Sequence, residues 1–264
     1  MKRPRNKKET APKPITAPAS TPTPTPLLPV AVFLAAVIAL TAAAAARNSI
    51  YRTPVTLWES AVKSSPDKQR PHENYGQALS TAGKLAEALE QFKTVLALPE
   101  DGSVPMRDVN REIGVVYFRL GLIDEAILSW QKGLQYAPFD PGLLNNLSVA
   151  YMKKQRLDEA LSHAQTALRV NPYMPEPTNT LGEIYLATGR YEEAARAFLQ
   201  YVQLRPEDPR GYWNAAIAME RSGNYEQAQQ LASRFAALER DERYRKLAQD
   251  FINKLQAAMN EKKR

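Results

Sequence analysis

Two histidines, His72 and His163, are the whole stock of imidazole in this sequence, and there is no cysteine. Thiolate zinc sites, disulfide frameworks, iron–sulfur clusters and thiol nucleophiles are excluded together. The histidines stand too far apart for an HExxH or His-rich metal spacing, and no phosphate-cradling glycine loop or G-x-S-x-G elbow occurs. His163 has no serine in a nucleophile setting and reads as a structural or surface residue. The acidic pairs Asp158-Glu159 and Glu192-Glu193 fall where second helices of a repeat would begin, and carboxylates there suit the helix dipole without acid–base work. No enzyme, cofactor or resident metal is expected.

The remaining candidates are charges, and most of the excess lies at the ends. Net charge is +7. Lys2, Arg3, Arg5, Lys7, Lys8 and Lys13 against Glu9 supply +5, and Glu261 to Arg264 supply +2, so everything between is neutral. A folded basic face for nucleic acid is therefore not expected.

Leu27 to Ala46 is a run of twenty uncharged residues. As a helix it spans roughly 30 Å, the thickness of a bilayer's hydrocarbon. Residues 1–26 read as a disordered basic, Pro-rich tail, with Thr21 to Pro26 favouring extended polyproline II. Six bases precede the span, whereas Arg47, Arg52 and Lys63 are the only ones in the next twenty residues. The positive-inside rule puts the N-terminus in the cytoplasm and residues 47–264 across the membrane. The rival reading is a cleaved signal peptide with Val30 to Leu40 as its apolar core and Ala42 to Ala46 as cleavage site. Its basic leader is too long for that class.

Beyond the span the signal is a period. Ala88, Ala126, Ala160, Ala194 and Ala228 recur at 38, 34, 34 and 34 residues. Pro66, Pro99, Pro138, Pro172 and Pro206 keep nearly the same step. Twelve residues before each alanine stands a small residue: Gly76, Gly114, Ser148, Gly182 and Ala216. Three after it come Leu79, Tyr117, Tyr151, Tyr185 and Met219. Four after the alanine come Phe92, Trp130, Ala164, Phe198 and Ala232.

These columns resemble the tetratricopeptide repeat, W-x₂-L-G-x₂-Y, then A-x₃-F, then P, at a period of about 34. The resemblance implies an all-α fold, a right-handed superhelix or α-solenoid of paired helices over 69–102, 107–140, 141–174, 175–208 and 209–242. Small residues let paired backbones approach, and prolines end second helices. Gly121, Gly189 and Gly223 fall in the short turns. Residues 47–68 read as a linker and half-repeat, with a lone helix over 53–65 in which Trp58, Ala61 and Pro66 fit the last three columns. Tyr244, Leu247, Ala248, Phe251, Ile252, Leu255 and Met259 form one stripe of a capping helix within 243–264. The four extra residues near Glu100 to Val104 are expected as a loop.

In that family the first helices line a concave groove. Carried over position by position, the resemblance gives Arg111, Phe118, Arg119, Asn145, Met152, Lys153, Asn179, Glu183, Trp213 and Arg221 as candidate partner-binding residues. Asn146 and Asn214, with Asn74, share the sixth position, where repeats with an asparagine ladder hold a peptide backbone. The Lys/Asn clamp for terminal carboxylates is not reproduced. Asn146-Leu147-Ser148 is formally a glycosylation sequon, but it falls inside a packed helix.

Residues 47–92 are also similar to the junction between membrane helix and repeats in multi-spanning O-mannosyltransferase-like membrane proteins. This chain has one span and none of their catalytic loops, so the likeness implies an orientation and a cell-envelope setting, not an activity. The expected protein is a single-pass scaffold of a bacterial inner membrane, its solenoid periplasmic and its groove holding a protein or peptide. The alternative is an accessory subunit of a membrane glycosyltransferase or an export system. Self-association is left open. Mass spectrometry of the membrane-isolated protein is expected to find residues 1–46 still attached; a mature N-terminus near Ala46 overturns the anchor.

Overall fold

The computed structural model describes residues 27–262, so the basic tail expected over 1–26 lies outside the described residues, as do the last two. Thirteen α-helices and no strand occur among the described residues, and the chain divides after Ile50 into two units.

The first unit holds α1, Leu27–Ile50. Arg47, Asn48, Ser49 and Ile50 extend the helix four residues beyond the apolar run that ends at Ala46. Its stretch Ala31–Ser49 is long and apolar enough to cross a membrane. Val32, Phe33, Leu34, Ile38 and Leu40 are exposed, and the helix has no polar stripe between them. Thr41 turns its hydroxyl back on the carbonyls of Val37 and Ile38, both 2.9 Å away, which keeps that polar group satisfied in an apolar surround.

The second unit opens with α2, Pro54–Ser64, started by a reciprocal capping box between Thr53 and Thr56 and by a proline at its first turn. Five helix pairs follow: α3 (Gln69–Thr81) with α4 (Leu85–Ala97), α5 (Met106–Arg119) with α6 (Ile123–Tyr136), and α7 (Pro141–Lys153) with α8 (Leu157–Val170). Next come α9 (Pro175–Ala187) with α10 (Tyr191–Leu204) and α11 (Pro209–Arg221) with α12 (Tyr225–Leu238), and α13 (Glu242–Lys262) closes the unit. A three-residue turn joins the helices of every pair. Its second residue sits in the left-handed region: Gly83, Gly121, Gly189 and Gly223, with Gln155 (φ 60°) as the non-glycine exception. The same bond closes each turn, for instance Lys84 N–H to the Leu79 carbonyl at 2.9 Å and Arg190 N–H to that of Tyr185 at 2.8 Å.

Size complementarity sets the spacing inside a pair. A Cβ built on Gly76 would lie 2.8 Å from the Phe92 ring, one on Gly114 2.3 Å from Trp130 Nε1, and one on Gly182 2.6 Å from Phe198. Where the second helix has alanine instead of a ring, at Ala164 and Ala232, the first helix carries Ser148 and Ala216, all four fully buried. Serine is tolerated because its Oγ donates to the Ala160 carbonyl at 2.7 Å. That bond and its burial keep the Asn146-Leu147-Ser148 sequon out of reach.

Each second helix also packs on the first helix of the next pair. First helices approach one another, α3 with α5 and α7 with α9, more closely than second helices do. They therefore occupy the inner, concave side of the stack. Core clusters follow one another along the stack rather than merging into one centre, as in a solenoid.

Gly114→Ala is expected to lose about 1–3 kcal/mol through overpacking against Trp130. Ala164→Phe should be similarly harmful, and adding Ser148→Gly should restore most of the loss; urea melts of the two single variants and the double variant check the size rule.

Candidate functional site

The concave face is built from the inward positions of the first helices, and its polar residues are largely engaged with neighbouring repeats. Thr180 donates to Asn145 Oδ1 at 3.0 Å, and Asn214 Nδ2 donates to Asn179 Oδ1 at 3.3 Å. In both rungs the sixth position of one first helix meets the fifth of the preceding one. Asn179 also donates to Glu183 at 2.7 Å. Asn214 is thus turned onto its neighbour, whereas Asn146, half-buried, has no side-chain hydrogen bond to a described residue.

The cations differ in how free they are. Arg111 is half-buried between Asp108 (2.8 Å) and Glu112 (3.4 Å), and its carbonyl accepts from Trp130 Nε1 at 3.0 Å. Arg119 donates to the Ser80 carbonyl and hydroxyl at 2.7 and 3.1 Å, tying the second pair to the end of α3. Lys153 is exposed and has no ion pair with a described residue. Arg221 lies 3.7 Å from Glu220, which also binds Lys254 at 2.9 Å. Glu73 is the exception among the acids. Burial raises its pKa, with Asp108 and Glu112 adding to the rise and Arg70, 3.0 Å away, opposing it.

Aliphatic and aromatic side chains run between these charges. Phe118 leans on Trp130 with ring centroids 5.8 Å apart, and Met152 packs against the same cluster. Val115, Val149, Leu186 and Ile217, at neighbouring inward positions, are half-buried too. Trp213 sits between Phe235 (4.9 Å) and Phe251 (5.2 Å) and walls a cavity of about 420 Å³ with Arg210, Asn214, Glu239, Tyr244 and Leu247.

That cavity holds residues which the sequence pattern assigned elsewhere. Tyr244 and Leu247, expected inside the buried stripe of the capping helix, are 52% and 49% exposed. The stripe is wider than the face that α12 covers, so Ala248, Ile252 and Leu255 bury and the first turn of α13 stays open. Arg210 is fixed by Asp208, whose carboxylate takes the Arg210 guanidinium at 2.7 Å and the Tyr201 hydroxyl at 2.6 Å. Hydrogen bonding to Arg210, opposed by burial and helped by Tyr201, holds Asp208 down to about 2. Burial, then the Asp208 hydrogen bond, pushes Tyr201 up to about 12.

The histidines have structural settings. His163 stacks on Tyr151 with centroids 5.4 Å apart and rings 3° from parallel, and burial lowers its pKa against a smaller opposing effect of Glu159. His72 is buried with its ring nitrogens 2.8 Å from Gln91 Oε1 and 3.0 Å from the Pro66 carbonyl, which ties the α2–α3 connection to α4.

An open, mixed polar and apolar concave face on stacked helix pairs defines an α-solenoid of the kind that holds other proteins. Two tetratricopeptide repeat profiles match, one over residues 75–141 and 111–175, the other over 151–211 and 185–250. Between them they run from 75 to 250, and the chain belongs to the tetratricopeptide repeat family. Among solved structures, the APC/C hetero-tetramer Cut9–Hcn1 matches with a TM-score of 0.63 at 19% identity, over 75% of this chain. This chain spans only 38% of that one. YrrB, described as a TPR protein with an unusual peptide-binding site, matches at 0.55 and 21% identity, over 73% of this chain and 97% of its own. MamA matches at 0.55 and 21%, over 65% and 91%. At such identities the likeness establishes the fold. No curated protein matches. The family matches begin at residue 75, and none of these findings supports the transferase-like junction over 47–92.

The Asp208 pKa lies below its unfolded value of about 3.9, so its contribution to stability is complete above that value and fades as pH falls through about 2. Asp208→Asn should therefore lower the urea midpoint at pH 7, and the gap to wild type should close towards pH 2. A gap constant with pH would remove the charge from the explanation.

Proposed function

We propose that the protein is a non-catalytic, membrane-anchored scaffold that holds a partner segment in its concave groove. One observation carries the reading: a half-buried apolar row, including Val115, Phe118, Val149, Met152 and Leu186, lies on the first helices α5, α7 and α9, the last two of which also carry polar rungs. Lys153, exposed and unpaired among the described residues, stands next to Met152 on α7. Apolar anchors give such a surface its affinity, and fixed polar groups give it register. Because the rungs already satisfy one another, a ligand meets a preorganised wall and little ordering cost is added on binding. The peptide site named for YrrB is in keeping with this use of the fold.

The anchor is α1, and the six bases ahead of it support an N-terminus on the cytoplasmic side with the repeats in a bacterial periplasm. The envelope complex is read from that orientation. The accessory-subunit reading rests on the junction alone and gains no residue of its own from the fold.

Arg111 and Arg119 are tied into the framework, so reversing their charge disturbs the stack as well as the face. Lys153 is the cleaner probe. A photo-crosslinking residue placed at Met152 in the full chain should give an adduct with an envelope protein in living cells, and one at Arg169, on the outer helix α8, should not. Lys153→Glu should weaken capture about tenfold, equivalent to ~1.4 kcal/mol. Equal adducts from both faces would place the partner outside the groove.

A further inference from the structure

We propose that the junction between the first and second repeats is an acid-responsive hinge: when a proton binds Glu73, its carboxyl donates a hydrogen bond to Glu112 of α5 and draws α3 onto the rest of the stack. The device lies in the framework and does not depend on what the groove holds.

The first observation is one of register. Between the third and fourth repeats, and between the fourth and fifth, the fifth position of one first helix meets the sixth of the next through a neutral bond, Asn145 with Thr180 and Asn179 with Asn214. At the second junction these positions hold Arg111 and Asn146, and Arg111 is taken up by Asp108 and Glu112 of its own helix instead. At the first junction they hold two acids, Glu73 and Glu112. An ionised carboxylate only accepts, so two of them cannot bridge. One added proton supplies the donor and a charge-assisted bond.

The second observation is burial. Glu73 is 5% exposed, so water does little for its charge. Arg70 at 3.0 Å and Gln77 at 3.4 Å draw it back along α3, while Glu112 leans on Arg111 at 3.4 Å. Arg70 does not serve Glu73 alone, because it also donates to the Ser103 carbonyl and is itself exposed. From α5, Asp108 and Glu112 repel Glu73, although Arg107 and Arg111 hold Asp108 at 3.0 and 2.8 Å. The charges of α2 and α4 pair with neighbours along the chain: Glu59 with Lys63, Glu87 with Lys84 and Glu90 with Lys93. His72 is occupied by Gln91 and the Pro66 carbonyl. Burial, opposed by Arg70 and reinforced by Asp108 and Glu112, raises the pKa of Glu73. The folded state therefore takes up this proton before the unfolded chain does. Ionised Glu73 costs stability above its folded pKa, and the cost disappears as pH falls towards the unfolded value of about 4.3. Asp208, near the other end of the stack, responds in the opposite sense.

Hydrogen exchange of the full chain in lipid nanodiscs, corrected for the intrinsic rate at each pH, reads the hinge directly. Protection of α3 and α4 should rise about threefold or more between pH 7.5 and 4.5, and that of α11 and α12 should not. Glu73→Gln carries a donor at every pH, so it should show the acid level of protection at both values. Glu73→Leu removes the charge without supplying a donor and should fall short of the glutamine variant. Equal protection in the two variants would leave burial alone as the cause and overturn the bridge. A wild-type chain without the rise, or a rise that persists in Glu73→Gln and so belongs to His72 or another group, would overturn the hinge.

Discussion

The distance between the two helices of each pair governs the rest of the molecule. It is fixed where a side chain is missing: glycine on the first helix receives a ring from the second, or two small residues meet where the ring is absent. Packing at protein density leaves no room for both groups to be large, and a gap would forfeit dispersion contacts over the whole ring. The turns then have little freedom. Three residues must reverse the chain at that separation, and a left-handed residue in the middle does so in all five copies.

With the pairs fixed, the concave face follows from the offset between neighbours. First helices lie close enough for a short side chain at the sixth position to reach the fifth position of the previous helix, which generates the rungs Asn145–Thr180 and Asn179–Asn214. The same offset brings Arg119 to the end of α3. Residues of this face therefore serve two purposes, holding register between repeats and presenting a surface. Where the register is held by others, as beside Lys153, a side chain stays exposed and without an ion pair among the described residues.

The paired columns were legible in the sequence because both partners of each contact fall within one period, so Gly182 and Phe198 announce each other. The apolar run of α1 was legible for an equally local reason, but not the continuation of the helix to Ile50. The rungs were not, because a single repeat contains only half of each, and a column of asparagines does not say which way its amides point. Nor was the opening beside Trp213: Tyr244 and Leu247 share a helical stripe with Ala248 and Ile252, and only the width of α12 decides which of them is covered. The cluster of Tyr201, Asp208 and Arg210 crosses a repeat boundary, and its residues look like ordinary loop and helix-start chemistry when taken one at a time.

The two ends of the stack are finished differently, by the 21-residue α13 behind and by the 11-residue α2 in front. Units that touch only their neighbours share stability along a line. Unequal lids on such a line produce unequal fraying. Amide protons of α3 and α4 will accordingly exchange sooner than those of α11 and α12, and cooperative order spreads forward from the rear. Anything that binds the front of the folded stack and not the unfolded chain then strengthens the leading coils by mass action.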